Sequence, residues 1–351
     1  MVNPTVTFTN NYQILIIERK KNIMKKFLAL ALAITLVFTF CACSGTADNG
    51  KITVAIVQPL SHTSLNQIRD TIKSELENSG LDIVVETADA NNDSSAFTTI
   101  VSNYKAQGVD VIVPIATPIA TAAKTVFEGT NTPIVFAAVT DPVAAGLTGD
   151  GCENITGVSD FIPPEETIDL ILSTQPDCDK IGLLYTSSET NSVAAMNGIK
   201  TYCDSIGLAY EEATISDPSD LQTAAQSLIS KGIDAFYTNT DNTIASAMPV
   251  YTDIAYGAGV PIYCGADSMV ADGGFATTGV NYVQIGKQVA QMVIDIVGGK
   301  APSEIPYETL DDCTKFINMQ AADRIGVTLP AATLETFTVL VEADGTNHFG
   351  E

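Results

Sequence analysis

Polar side chains recur in this sequence at the points where an apolar, strand-like segment gives way to a helical one. In open parallel sheets, ligands bind beyond the carboxyl ends of the strands, so residues at these points are candidates for contact with a ligand. Side chains of these types bind polar groups through hydrogen bonds and charge. The candidates for ligand binding are Ser61, His62, Thr117, Pro118, Thr140, Asp160, Tyr185, Asn191, Asp241, Asn242 and Asp267.

The candidates differ in charge between the two halves of the chain. Thr117 and Thr140 supply hydroxyls beside predicted helix N-termini in the first half, and that combination suits a carboxylate. Asp241 and Asp267 supply carboxylates in the second half, which suit a cation such as an ammonium group. A zwitterionic amino acid would satisfy both, whereas two carboxylates facing an empty cleft would repel each other and raise one pKa.

Several of these residues also fit a purely structural role. Thr117 stands before Pro118 and Asp141 before Pro142, as helix N-caps do, and Asp241 could cap its own helix. Capping and ligand contact are compatible, because a helix N-terminus has spare N–H groups. His62 is predicted to be a hydrogen-bonding residue at the surface or in the pocket, not a catalytic base.

The elements that position these residues alternate between strand and helix patterns from Lys51 onward, which is typical of a parallel sheet covered on both faces. A second series repeats the first: GVDVIVPIATPIATAA (108–123) matches GIDAFYTNTDNTIASA (232–247). We therefore predict two similar, doubly wound α/β lobes joined by a multi-strand hinge. Residues 51–160 with 280–303 form the first lobe, and 161–279 with 304–345 form the second.

Composition narrows the class of protein. The 351 residues are 46% hydrophobic, which predicts a folded chain with a large core. The formal net charge of -24 would repel nucleic-acid backbones and anionic membrane surfaces.

The N-terminal region has the layout of an export signal. Two lysines after Met24 precede an apolar stretch over 27–40 that is shorter than a membrane-spanning helix. FCACSG then resembles a lipoprotein box with Cys43 as the lipid-bearing residue, although Phe40 departs from the usual leucine. Residues 1–42 would be an upstream extension and signal peptide, and 43–50 a tether. An ordinary secretory signal remains the alternative, and the start codon is Met1 or Met24.

Neither the remaining cysteines nor any known catalytic motif predicts a reaction or a metal site. Five cysteines remain besides Cys41 and Cys43, and no pair of these five has the spacing of a metal or redox site. Isolated buried thiols are the simpler interpretation, although one disulfide stays open. GxSxG, HExxH, GxxxxGK[ST] and a strand-linked GxGxxG are absent from a sequence with two histidines. We expect no enzyme activity, no cofactor and no metal.

Several segments in order resemble a known family. TPIVFAAVTDPVAAG, NITGVSD, DAFYTNTDNTIASA and GADSMVADGGFATTGVNYVQIGKQVA are similar to ABC-transporter substrate-binding lipoproteins of the tryptophan/phenylalanine-binding type, over about 51–330. The resemblance implies a type I periplasmic-binding-protein fold whose two lobes capture a small solute, often an aromatic amino acid. The implied contacts are Thr117, Thr140 and Asp160 from the first lobe and its hinge, and Tyr185, Asn191, Asp241, Asn242 and Asp267 from the second.

One loop departs from that family. The first strand is commonly followed there by a stretch like Glu-His-Pro-Ala-Leu-Asp, and here by SHTSLN (61–66), so the identity of the ligand stays open. We expect a monomeric, lipid-anchored receptor on the outer face of the cytoplasmic membrane. It would bind an aromatic or branched amino acid by hinge closure and pass it to ABC permease subunits. The alternatives are a sensory receptor of the same fold and a binder of another solute such as a nucleoside or sugar.

Overall fold

A computed structural model describes residues 51–310 and 314–349 of the chain. The predicted signal peptide, the lipid-bearing Cys43 and also Cys41 and Cys313 lie outside these residues. Within the described ranges, no helix combines the length and the apolar character needed to cross a membrane.

The first lobe is built on a six-stranded, fully parallel sheet in the order β11–β5–β4–β3–β1–β2. Its strands are β1 (Ile52–Gln58), β2 (Ile83–Asp89), β3 (Val111–Pro114), β4 (Ile134–Ala137), β5 (Ile155–Ser159) and β11 (Glu308–Thr309). Its helices are α1 (Thr63–Asn78), α2 (Ser94–Gln107), α3 (Thr117–Phe127) and α10 (Tyr282–Val297).

The second lobe has a seven-stranded sheet in the order β13–β12–β10–β9–β8–β6–β7, parallel except between β10 and β12. Its strands are β6 (Lys180–Thr186), β7 (Ala209–Ile215), β8 (Ala235–Thr238), β9 (Ile262–Cys264), β10 (Ala276–Thr277), β12 (Phe316–Asn318) and β13 (Thr338–Val341). Its helices are α4 (Pro164–Thr174), α5 (Thr190–Ile206), α6 (Leu221–Ser230), α7 (Asn242–Ala245), α8 (Met248–Ala258), α9 (Asp267–Ala271), α11 (Met319–Ile325) and α12 (Ala331–Leu334). Two parallel-sheet α/β lobes confirm the predicted fold class.

The chain passes between the sheets after β5, after β10 and after β11. Helix α10 returns to the first lobe and packs against α1 so closely that a Cβ on Gly286 would lie 2.7 Å from the Cβ of Thr71. The predicted lobe boundaries remain predictions, but the strand pairing differs from them near the third passage between the sheets. Strand β11 pairs with β5 of the first sheet, although 304–345 was assigned to the second lobe. A two-residue strand of Glu and Thr leaves no apolar run to detect.

Amphipathic patterning explains the helices that flank the site. Helix α1 buries Leu65, Ile68, Ile72 and Leu76, which recur at the helical period. Full burial of such a side chain stabilises the fold by about 1.5–3 kcal/mol. The four buried side chains thus fix α1 against the sheet and place its N-terminus at the edge where the two lobes meet.

The repeated Gly-x-Asp motif is part of the scaffold. Asp110 accepts a hydrogen bond from the Thr53 N–H at 2.7 Å, which ties the start of β3 to β1. Asp234 does the same in the second lobe, accepting from the N–H groups of Asp179 and Lys180 at 2.9 Å. Equivalent aspartates therefore set the register between the first and third strands of each lobe.

The described cysteines are packing residues. All four are buried free thiols, and burial raises the pKa of Cys178 and of Cys203 to about 11. Reactive thiols need a lowered pKa, so these side chains are suited to filling the core. They are Cys152, Cys178, Cys203 and Cys264.

We expect Asp110→Ala and Asp234→Ala each to lower the free energy of unfolding by about 1 kcal/mol, because each leaves strand N–H groups without a charged acceptor. The double variant should show the sum, since the two sites lie in different lobes. Urea unfolding monitored by circular dichroism measures this. The exposed Asp150→Ala serves as control, and a strongly non-additive double variant would contradict two independent scaffold contacts.

Candidate functional site

A cavity lies between the lobes at the carboxyl ends of their strands. About 340 Å³ of space free of atoms opens there. The first lobe and its returning helix contribute side chains from the ends of β1, β3, β4 and β5 and from the start of α10. The lining residues are His62, Ser64, Leu65, Ala116, Thr117, Ala138, Thr140, Asp160, Asn191, Thr240, Asp241, Asn242, Ala245, Ala266, Met269 and Tyr282.

The backbone is strained at two places in this lining. Ala116, after β3, has a φ of 67°, and Ala138, after β4, has a φ of 54°. A residue with a Cβ pays about 1–2 kcal/mol for such a conformation. Strain of this kind clusters at ligand sites, and here it turns the chain at the strand ends next to Thr117 and Thr140.

Two buried polar atoms in the lining have no hydrogen-bond partner. They are Oγ1 of Thr117, from the first lobe, and Oδ1 of Asn191, from the second. Thr117 is 4% exposed and Asn191 5%, so bulk water does not satisfy these atoms. An unsatisfied buried polar atom costs about 1–3 kcal/mol, which a polar ligand in the cavity would recover.

Asp160 lies at the first passage of the chain and accepts hydrogen bonds from both lobes. Its Oδ1 accepts a hydrogen bond from the Thr140 hydroxyl at 2.8 Å, and side chains of Thr240 and Tyr282 also donate to the carboxylate. Burial raises the pKa of Asp160, against the lowering effect of these hydrogen bonds. A cation in the cavity would favour the ionised form.

Asp241 is engaged by its own lobe. Oδ1 accepts from the Thr186 hydroxyl and the Ile244 N–H at 2.8 and 2.9 Å, and Oδ2 from the Thr186 N–H and the Ser192 hydroxyl at 2.7 and 2.8 Å. Four donors occupy the lone-pair positions of a carboxylate. Burial and the charge of Glu189 nevertheless raise its pKa. Asp241 therefore caps α7 and holds β6 within the second lobe.

Glu189, which the sequence reasoning did not single out, is engaged in the same way. It accepts from the N–H and side-chain amide of Asn242 at 3.1 and 2.8 Å, and from the N–H and hydroxyl of Thr243 at 2.9 and 2.8 Å. The carboxylate thus anchors the start of α7 against the start of α5. Its signal in the sequence was weak, because a glutamate before a helix is common in solvated caps.

Three hydrogen bonds close the rim of the cavity across the lobes. His62 Nε2 lies 3.4 Å from Asn242 Oδ1, and the Thr63 hydroxyl donates to Asp272 at 3.1 Å. The hydroxyl of Ser64 bonds to that of Ser268. Burial lowers the pKa of His62 to about 4, so the imidazole is neutral at physiological pH.

The structure brings seven of the eleven predicted residues into the cavity and places four elsewhere. Ser61 is exposed and bonds to Asn66, and Pro118 lies in the first turn of α3, outside the lining. Tyr185 lies inside β6 instead of beyond it, and its hydroxyl donates to Glu212 at 3.1 Å. Asp267 lines a separate groove, and burial raises its pKa to about 7.

Sequence reasoning missed several lining residues because most are small or apolar. Ala116, Ala138, Ala245 and Ala266 give no chemical signal, and their role depends on backbone geometry. Tyr282 follows a turn signal but reaches the site only because α10 returns to the first lobe. Among the described residues, no three His, Cys, Asp or Glu side chains are grouped so as to hold a metal ion.

Two threonine variants should separate free from engaged hydroxyls. Thr117→Val should raise the free energy of unfolding without ligand by about 1 kcal/mol, because it removes an unsatisfied buried oxygen. Thr243→Val should lower it by about 1–3 kcal/mol, because Glu189 loses a donor. Urea unfolding measures both, and an equal loss in the two variants would contradict the free hydroxyl of Thr117.

Comparison with known proteins places the chain in a family. The model for the ABC transporter substrate binding protein family matches residues 53–341. A tyrosine-binding protein of Clostridioides difficile (strain R20291) is 32% identical over 272 residues, which are 76% of this chain and 78% of that protein.

Two similar solved structures differ in whether a ligand is bound. A Streptococcus pneumonia ABC domain in complex with L-Trp has a TM-score of 0.77 at 28% identity, over 82% of this chain and 99% of that one. A ligand-free, open substrate-binding protein with adhesive properties from Clostridium difficile has a TM-score of 0.63 at 30% identity, over 82% and 98%. At similar identity, the overall similarity is higher to the L-Trp complex than to the ligand-free, open structure. The chain belongs to the substrate-binding proteins of ABC transporters, which are not enzymes.

Proposed function

We propose that this protein captures an aromatic α-amino acid between its two lobes and delivers it to the permease of an ABC importer. The observation that carries the proposal is the pair of unpartnered buried atoms, Thr117 Oγ1 and Asn191 Oδ1, which face one cavity from opposite lobes beside Asp160. A zwitterion bound between them supplies an acceptor to one lobe and donors to the other.

The carboxylate of the amino acid would bind to the first lobe. The Thr117 hydroxyl has a hydrogen to donate, and Thr117 begins the 11-residue helix α3. The N-terminus of a helix carries partial positive charge, which favours a carboxylate there. Since no Lys or Arg lines the cavity in the part of the chain that the structure describes, hydroxyls and the helix end would supply this recognition.

The ammonium group would bind to Asn191 and Asp160. Oδ1 of Asn191 can accept a hydrogen bond, and Asp160 supplies the opposite charge. This assignment replaces the sequence-based expectation for Asp241 and Asp267, because the donors to Asp241 all come from its own lobe, whereas Asp160 accepts from both lobes, and Asp267 does not line the cavity.

Support for an aromatic side chain comes from the relatives, two of which are named for tyrosine binding or solved with L-Trp. We further propose that Cys43 carries the lipid anchor and that the protein acts as a monomer outside the cytoplasm. Solute contacts from both lobes would add to the rim hydrogen bonds of His62, Thr63 and Ser64. The bound solute would thereby stabilise the closed form through contacts that the open form lacks.

Isothermal titration calorimetry tests the proposal. We expect L-Tyr, L-Trp or L-Phe to bind and Asp160→Asn to weaken binding by about 30-fold or more, because a buried charge pair loses one partner. Affinity should fall as the pH is lowered, since protonation of Asp160, whose pKa burial raises, removes the charge that the ammonium group needs.

Asp93→Asn, at an exposed helix N-cap where asparagine is equally suitable, is the matched control and should bind like the wild type. His62, whose pKa burial lowers to about 4, stays neutral at physiological pH. The pH dependence left in Asp160→Asn therefore reports on Asp241, Asp267 and Asp272, whose pKa values are also raised. Absence of binding by all amino acids, or unchanged affinity in Asp160→Asn, would refute the proposal.

A further inference from the structure

A second cavity, which we term the side pocket, lies between the first passage of the chain and helix α5. Phe161, Ile162 and Pro164 form one wall, and Ala194, Ala195 and Ile199 of α5 form the facing wall. About 530 Å³ of space free of atoms opens there. These six side chains are all apolar, so the pocket is suited to an apolar group.

The side pocket adjoins the cavity described above. Thr140, Asp160 and Thr240 line both, so the carboxylate that would bind the ammonium group also borders the apolar space. The side pocket is the larger of the two, with about 530 Å³ of space free of atoms against about 340 Å³ in the polar cavity. The first cavity suits the carboxylate and ammonium groups of an amino acid, whereas the second has the space for a large side chain.

One polar atom in the side pocket is unsatisfied. Asn239 is 3% exposed and lines this pocket, and its Oδ1 is buried without a hydrogen-bond partner. Its Nδ2 donates to Ser192 at 3.3 Å, which holds the amide in place. The other polar groups here are engaged: the Tyr237 hydroxyl bonds to Thr167, and Asp141 accepts from the Ala144 N–H at 2.8 Å.

We propose that the side pocket receives the side chain of the bound amino acid and that Asn239 Oδ1 accepts a hydrogen bond from it. The inference rests on the proposed function and deepens it. A tyrosine hydroxyl and a tryptophan indole N–H can both donate this bond, whereas phenylalanine has no donor. Phenylalanine would leave Oδ1 buried and unpaired, so the pocket selects an aromatic side chain with a hydrogen-bond donor.

Filling the pocket tests where the side chain binds. Ala195→Leu adds apolar volume on a helix that tolerates leucine, and should weaken L-Tyr and L-Trp binding by at least about tenfold because the space is no longer free. Small amino acids such as L-Ala should keep their wild-type affinity, since the polar cavity is unchanged. Asn197→Leu, at an exposed position of α5 outside the lining, is the matched control and should change neither.

The role of Asn239 is tested by a ratio of affinities. The wild type should bind L-Tyr at least about tenfold more tightly than L-Phe, and Asn239→Ala should bring the ratio close to one. A ratio is informative even if the variant also weakens closure through Ser192, because that loss affects both ligands. Calorimetry on the exported, mature chain measures both affinities.

The outcomes distinguish this inference from the proposed function. If the wild type binds aromatic amino acids but Ala195→Leu leaves L-Tyr affinity unchanged, the side chain lies elsewhere and only the inference is overturned. A Tyr-to-Phe ratio that Asn239→Ala does not alter would likewise overturn the role of Asn239. Binding of no amino acid at all would overturn both proposals.

Discussion

The carboxylate of Asp160 joins the parts of the chain that must move relative to each other. It accepts hydrogen bonds from Thr140 of the first lobe, Thr240 of the second and Tyr282 of the returning helix. A buried carboxylate is costly unless such donors are present, and one of them, Thr240, comes from the opposite lobe. The position of the lobes and the charge state of the site therefore depend on the same side chain.

Around Asp160, some polar groups of the site already have hydrogen-bond partners and others have none. Asp241 and Glu189 have all their acceptor positions filled within the second lobe, so they make a rigid wall. Thr117 and Asn191 are left unpaired at the surface of the cavity. Because unpaired buried atoms raise the energy of the empty closed form, in the proposed function binding energy would come from the free groups and positional precision from the engaged ones.

The sequence predicts the scaffold better than the site for a physical reason. Apolar periodicity locates α1 and α10, and the paired Gly-x-Asp motifs correspond to equivalent contacts of Asp110 and Asp234. Periodicity does not show which carboxylate oxygens already accept hydrogen bonds. The sequence therefore suggested Asp241 as a ligand contact, although four donors surround it. Nor does it show that Tyr185 lies within β6, because an apolar run does not fix the residue at which a strand ends.

The rim contacts from His62, Thr63 and Ser64 to the second lobe require no solute. An empty receptor that can shut presents its transporter with nearly the same outline as a loaded one. Each tenfold bias of the loaded form towards closure takes about 1.4 kcal/mol of differential contact. In the proposed function, the unpaired atoms of the empty cavity would supply that bias by destabilising the closed form without solute, and unproductive docking on the permease would thereby be rare.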